Sequence, residues 1–292
     1  MTSVHSAAPS GPGAPGAWQF TDSRGQLVTA AVRPTRIAAY IQAGATLWDH
    51  GVRPAGIFGS FHDGPAPDRA KSGRLPLSGL TYLGAGATLD PDAVLALGAD
   101  LLVAVSYGGG AVYGMAPEAA KHLEEQIPVA VIDVGQGRSL SELRESFGAL
   151  AASLGGSEPP RAGHLLADAQ AKLKSLAGPQ TPPLLALSPA SGTEVHLARS
   201  HAWPDLRALT ALGVPLLSPP AGGGANWATV DWPTAAALAP RLVLADVRAN
   251  ALPLDPALLG DGVRTLPWNP ELPASSTAHT LFYDTVADAL TS

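Results

Sequence analysis

The sequence predicts an α/β protein made of two Rossmann-like lobes joined by helices. Three observations predict it. From residue 36 onward short, continuous apolar runs alternate with segments of helical periodicity. That alternation is interrupted once by back-to-back helical patterns over 139–178, after which it restarts. The chain has 292 residues, 46% of them hydrophobic, which suits two lobes of about 120 residues each.

Residues 1–17 are Pro, Gly, Ser and Ala-rich, cannot bury a core, and read as a disordered tail. The N-terminal lobe is expected over 18–138. Its strands are RIAAYI (36–41), PAGIFG (54–59), LLVAV (101–105) and PVAVIDV (128–134), with helices over 43–50, from Asp90, and over 117–126. Asp90-Pro91 reads as an N-cap followed by proline in the first helical turn, where no amide donor is lost. The connecting helices span 139–178, the first opened by a capping box of Ser139 and Glu142. The C-terminal lobe is expected over 179–292. Its strands are PLLALSP (183–189), TEVHLA (193–198), VPLLS (214–218), RLVLADV (241–247) and GVRTLPW (262–268), with helices over 205–212, 233–239 and 280–290. Uninterrupted apolar strands with helices between them predict mostly parallel sheets, covered on both faces.

Composition removes several classes of function. A net charge of −6 gives no basic footprint for nucleic acid or for an anionic membrane. With no cysteine there is no disulfide, thiolate metal site, cysteine nucleophile or lipobox anchor. No apolar run reaches the roughly 18–20 residues that span a bilayer, so no membrane insertion is expected. The first 17 residues lack a basic and an apolar region, which predicts a cytoplasmic protein; a chain whose signal peptide had been removed would be extracytoplasmic.

In open α/β sheets ligands sit beyond the carboxyl ends of the strands. There the sequence places Tyr40, Phe61, Tyr107, Tyr113, Trp203, Trp227 and Trp268, with His62, His201, Arg199 and Arg248. These are the candidate ligand-binding residues. Glu194 and His196 share a strand face with His201 nearby, but no further ligand has metal-site spacing, and the pair reads as a polar strand edge. His62 beside Asp63 has the composition of an oriented base, yet adjacent residues point apart. The triplets Gly108–Gly110 and Gly222–Gly224 have no phosphate-loop spacing and read as turns at the cleft edge. Trp18, Trp48 and Trp232 read as packing. No catalytic or metal-ligating residue is assigned.

Three segments carry a family resemblance: FTDSRGQLVTAAVRPTRIAAY, YLGAGATLDPDAVLALGADLLVAVSYG and NWATVDWPTAAALAPRLVLADV. In that order they resemble the substrate-binding proteins of ABC importers for ferric siderophores, haem and cobalamin, the helical-backbone class III periplasmic binding proteins. Gly98-Ala99-Asp100 stands in place of the usual K-P-D. The resemblance implies a bilobed monomer with a rigid connecting helix, modest lobe closure and a bulky ligand in a shallow cleft between the lobes, with Phe61, His62, Tyr107, Trp227 and Trp268 at family cleft positions. It implies no cofactor, iron arriving only within a bound chelate. Gly86 stands where hydroxamate-binding members often carry a cleft arginine. The resemblance also implies docking on an ABC permease through one acidic residue per lobe. Asp92 stands at the first of these positions, whereas Pro273 occupies the second, with Glu271 two residues before it.

The function expected is a binding protein for a bulky small molecule, first a ferric siderophore of neutral or weak charge. Two alternatives fit the same residues. One is recruitment of the fold to an enzymatic or accessory role in secondary metabolism, with His62, Tyr107 or His201 as acid or base; the other is a conventional secreted importer component.

Overall fold

A hairpin opens the fold, β1 (Trp18–Thr21) pairing antiparallel with β2 (Leu27–Ala30). The computed structural model describes residues 16–135, 137–178 and 180–291, so of the tail expected over 1–17 all but Gly16 and Ala17 lies outside the described residues. Asp22 and Arg24 fasten the hairpin to the first sheet: Asp22 Oδ2 accepts from the Val131 amide at 3.1 Å and Arg24 Nη2 donates to the Val129 carbonyl at 3.0 Å. The hairpin thereby covers the backbone of an edge strand that would otherwise be open for pairing.

The first sheet is fully parallel, in the order β5-β4-β3-β6-β7. Its strands are β3 (Ile37–Tyr40), β4 (Gly56–Gly59), β5 (Thr81–Ala85), β6 (Leu101–Ser106) and β7 (Val129–Asp133). Every residue of β3, β4 and β6 is buried, as the uninterrupted apolar runs predict. Helices α1 (Ile41–Asp49), α2 (Pro91–Ala96) and α3 (Pro117–Glu124) connect them. Asp90 caps α2 by accepting from the Asp92 amide at 3.0 Å.

Residues 81–85, among which no strand is expected, form β5. It is an edge strand with an irregular register against β4 between Ile57 and Gly59. Gly84 sits there at φ +97, and a Cβ would lie 2.5 Å from the Thr88 carbonyl oxygen. Glycine thus allows a bulged strand where sequence alone suggests only a break.

Two helices follow, α4 (Leu140–Ser153) and α5 (Ala162–Leu176). The reciprocal capping box of Ser139 and Glu142 is present. Helix α4 packs against α1, β1 and β7 of the first lobe and against α6 (Pro204–Ala211) of the second, and Trp18 Nε1 donates to Ser153 Oγ near its end at 3.1 Å. Helix α5 instead packs along the last helix, α8 (Ser276–Thr291).

The second sheet has the order β10-β9-β8-β11-β12. Its strands are β8 (Leu184–Pro189), β9 (Glu194–Ala198), β10 (Trp227–Asp231), β11 (Leu242–Asp246) and β12 (Arg264–Trp268), with α7 (Trp232–Ala236) after β10. β8, β11 and β12 run parallel, whereas β9 pairs antiparallel with both β8 and β10. The four residues between β8 and β9 permit a hairpin but not a parallel crossover, which departs from the mostly parallel sheet expected. VPLLS is not a strand; its pairing is a single bridge from Leu216 to Leu184. Pro215 within it and Pro219 just after it lack the amides that would extend a ladder.

The lobes are stitched together by side chains. Asn269 Nδ2 donates to the Ala70 carbonyl at 2.7 Å, Asp68 Oδ2 accepts from the Ala249 amide at 2.9 Å, and Thr46 Oγ1 accepts from the Ala274 amide at 2.9 Å. Among the described residues no helix is long and apolar enough to cross a membrane.

Candidate functional site

In the first sheet the chain runs from β3 outward to β4 on one side and crosses to β6 on the other, which opens a crevice at the carboxyl ends of β3 and β6. The loop leaving β6 carries Tyr107 and Tyr113, with the Tyr113 amide returning to the Val105 carbonyl at 2.8 Å. The rings of Tyr107 and Tyr113 meet edge to face at 4.7 Å, and Tyr113 meets Tyr40 at 5.6 Å. Burial, the largest influence on each, raises the pKa of all three phenols, so they remain neutral and able to donate hydrogen bonds.

The second lobe faces this wall with tryptophans. The Trp203 and Trp227 rings are 5.1 Å apart, Trp203 and Trp268 5.7 Å, and Trp227 and Trp268 5.9 Å. Trp268 forms the base of the group, 1% exposed, its Nε1 donating to Asp205 Oδ2 at 2.5 Å. Arg199 organises the loop that leads into Trp227: its Nε donates to the Gly224 carbonyl at 2.9 Å and its Nη2 to those of Gly222 at 2.9 Å and Gly223 at 3.3 Å.

Between the walls lies a cleft of ≈ 490 Å³, within the roughly 300–1,000 Å³ of small-molecule sites. His62, Tyr107 and Tyr113 line it from the first lobe; Ser188, His196, Trp203, Asn226, Trp227 and Asn250 from the second; Arg248 and Glu271 complete its boundary.

A buried ionic network underlies that boundary. Lys71, fully buried, lies 2.7 Å from Asp63 Oδ1 and 2.9 Å from Glu271 Oε1. Its Nζ also donates to Ser60 Oγ at 3.3 Å and Tyr40 Oη at 3.4 Å, and Tyr40 Oη donates to Glu271 Oε2. Arg248 joins Glu271 at 3.0 Å and Asp246 at 2.8 Å. Burial alone would lower the Lys71 pKa, but the charge of Glu271 and the bond to Asp63 outweigh it and raise it, so the ammonium is kept. Arg248 is likewise raised against the effect of burial by Asp246 and Glu271. The network sets three carboxylates against two cations, and its cations are already engaged.

Of the residues singled out from sequence, His62, Tyr107, Tyr113, Trp203, Trp227 and Arg248 come together on the cleft. Tyr40 and Trp268 lie beneath it, 0% and 1% exposed. Phe61, 56% exposed, rests against Gly86 outside the lining, His201 is exposed away from it, and Arg199 is turned to the glycine carbonyls. Asp63 pairs with Lys71 and accepts from the Ser60 amide at 2.7 Å, not from His62. His196, read as a strand-edge residue, lines the cleft, its Nδ1 2.8 Å from Thr229 Oγ1. Sequence reasoning did not single out Lys71, Asp246, Ser188, Asn226 or Asn250. Of these only Asn226 and Asn250 carried a usable signal, as polar residues flanking an assigned aromatic or arginine.

Gly86 has φ +52, and a Cβ there would lie 2.7 Å from Phe61 Cδ1 and 2.8 Å from Phe61 Cα. An arginine at that position requires the Phe61 loop to move. Glu271, the acid nearest the second docking position, is 1% exposed, whereas the Asp92 side chain is 86% exposed. Among the described residues no group of three or more His, Asp or Glu side chains could hold a metal ion.

No family model and no curated protein matches the chain. Solved structures do. The chain is similar to the ferric-siderophore receptor protein DesE from Streptomyces coelicolor, 25% identical with a TM-score of 0.81 over 94% of this chain and 97% of that one. It also resembles the siderophore periplasmic binding protein from the fuscachelin gene cluster of Thermobifida fusca, 16% identical, TM-score 0.61, over 88% and 96% of the two chains. A third likeness is to the heme binding protein HmuT, 14% identical, TM-score 0.63, over 97% and 91%.

Proposed function

We propose, from a fold that is that of the class III periplasmic binding proteins, that this protein binds a ferric siderophore in the cleft between its lobes and performs no chemistry on it. The observation that carries the reading is the pairing of walls: Tyr107 and Tyr113 on one lobe face Trp203 and Trp227 on the other. Such walls supply apolar area and stacking for a bulky ligand, while neutral phenols and indoles orient its polar groups. A chelate brings its own iron, so the site needs no protein ligands for it. Among the described residues Arg248 is the only Lys or Arg on the cleft lining, and its guanidinium is engaged by Asp246 and Glu271. That favours a neutral or cationic chelate over an anionic one.

We read the chain as lobes 18–138 and 179–292 on either side of the connector 139–178. The hydrogen bonds that stitch the lobes support limited closure on binding. Glu271 is committed to Lys71 and Arg248, so it does not serve as a docking acid for a permease. Asp92 remains available for that role on the first lobe. The likeness to a protein named as periplasmic favours extracytoplasmic over cytoplasmic placement.

Tryptophan fluorescence titrated with ferric and iron-free siderophores, haem and cobalamin tests the reading. Saturable quenching by a ferric chelate, weakened in Trp227→Ala, is the expected result. Absence of any response across the panel refutes it and turns the search to the enzymatic alternative.

A further inference from the structure

Beneath the cleft lies a smaller cavity of ≈ 30 Å³ that shares Tyr107, Trp203 and Asn226 with the cleft wall. It lies between the lobes, bounded also by Gln42 from α1 and by Asp205 from α6. Gln42 is 4% exposed, and the orientation of its amide is set by Nε2, which donates to the Leu272 carbonyl at 3.0 Å. That leaves Gln42 Oε1 buried with no hydrogen-bond partner among the described residues. On the side of the second lobe, Asn226 Oδ1 is also buried, with no partner among the described residues. The Asn226 backbone is nevertheless fixed, its carbonyl accepting from the Arg199 amide at 2.9 Å and from Trp203 Nε1 at 3.2 Å.

A buried acceptor left unpaired keeps its full desolvation penalty with no bond to offset it. Two of them on one cavity, supplied by different lobes, mark a position built for a donor. We propose that the cavity is a subsite of the cleft that receives a terminal ammonium of the bound ligand, held by Gln42 Oε1 and Asn226 Oδ1. The inference rests on the cleft being a small-molecule site. Size restricts the occupant: a water needs roughly 10–15 Å³ of such space, so one small terminal group fits and a bulky one does not. Charge selects among donors. Asp205 lines the same cavity, and the adjoining ionic network carries three carboxylates against two cations. The rings of Tyr107 and Trp203 on its boundary favour a cation further.

The test uses two probes: the ferric chelate of a linear tris-hydroxamate ending in a primary amine, and the same chelate with that amine acetylated. Acetylation removes the charge and enlarges the end beyond the cavity. In the unaltered protein the amine-terminated chelate should bind roughly tenfold more tightly, as expected for a hydrogen bond to a charged group. Asn226→Leu should bring the two affinities together. Asn226→Asp, which keeps the acceptor and adds charge, should preserve or widen the preference and so separate loss of the subsite from loss of folding. Equal saturable binding of both chelates overturns the subsite and leaves the proposed function standing. Binding of neither overturns both. A crystal structure of the complex in which water, not the ligand nitrogen, joins the two acceptors also overturns the subsite.

Discussion

Lys71 Nζ lies 2.9 Å from Glu271 Oε1 with both side chains buried, an ion pair that joins a loop of the first lobe to the segment after β12 in the second. Lys71 also holds Asp63 at 2.7 Å, so a single ammonium compensates two carboxylates. Replacement by an apolar residue of similar volume, Lys71→Met, leaves Asp63 without its countercharge and Glu271 with only Arg248. Breaking a buried pair from one side costs about 3–5 kcal/mol, and the remaining bonds to Glu271 place the expected loss near the lower end. Urea denaturation should show a lower midpoint with an unchanged slope; a midpoint equal to that of the parent would mean the network does not hold the lobes together.

Asp205, under Trp268, is pushed up to about 6 by burial, against the lowering effect of the Trp268 bond. Unfolded, its pKa returns to about 3.9. The folded state therefore holds the proton more tightly, and this group's stabilising contribution is complete below about pH 4 and lost as pH rises through about 6. Two pKa units correspond to about 3 kcal/mol. Asp205→Asn keeps an acceptor for the indole and does not titrate. The stability difference between parent and variant should shift toward the variant between pH 4 and 7.5, and a difference that stays constant over that interval contradicts the assignment.

His279 acts in the opposite direction. It is 0% exposed on α8, with Nδ1 3.4 Å from Arg144 Nη1, and burial followed by the Arg144 charge lowers its pKa to about 3. The unfolded value is about 6.5, so the unfolded state takes up the proton first. Stability due to the neutral imidazole is present above about pH 6.5 and falls as pH drops toward 3, by about 2 kcal/mol at pH 5. His279→Gln should remove that acid sensitivity in thermal melts between pH 7 and 5. An unaltered pH dependence in the variant would show that the imidazole is not the group responsible.

The strand and helix order was readable because apolar runs and caps are local signals. β5 escaped because glycines bulge it at a sheet edge, and VPLLS misled because Pro215 within it and Pro219 after it remove ladder donors. Position after a strand brought out Tyr107, Tyr113, Trp203, Trp227 and Arg248, which line the cleft. The same rule over-reached at Tyr40 and Trp268. Each is the last residue of its strand, still held in the ladder and turned into the core, whereas Tyr107 is the first residue beyond β6. Lys71 left no trace in the sequence, since its burial depends on Glu271, which only the folded chain brings near.

Arg199 is expected to act on binding through the loop it fastens. Its bonds to three successive glycine carbonyls hold a segment that has few other restraints and leads directly to Asn226 and Trp227. Arg199→Ala should leave global stability within about 1 kcal/mol, because the site is at the surface. Amide exchange over residues 222–227 should accelerate, and chelate affinity should fall several-fold. Unchanged exchange in that segment would show that the guanidinium does not order the loop.

The charge of the site predicts its selectivity among ferric chelates. Among the described residues Asp63, Asp246 and Glu271 pair with Lys71 and Arg248 alone, both fully engaged, so an anionic ligand gains no countercharge and loses its hydration on entry. A ferric tris-hydroxamate is electrically neutral around the metal, whereas a ferric tris-catecholate is strongly anionic. The hydroxamate should bind at least about tenfold more tightly, and raising the salt should narrow the gap by screening repulsion at the cleft mouth. Isothermal titration of both chelates at low and high ionic strength reads this directly. Tighter binding of the catecholate would require a cation free to meet it, and would mean that Arg248 leaves Asp246 and Glu271 when the ligand enters.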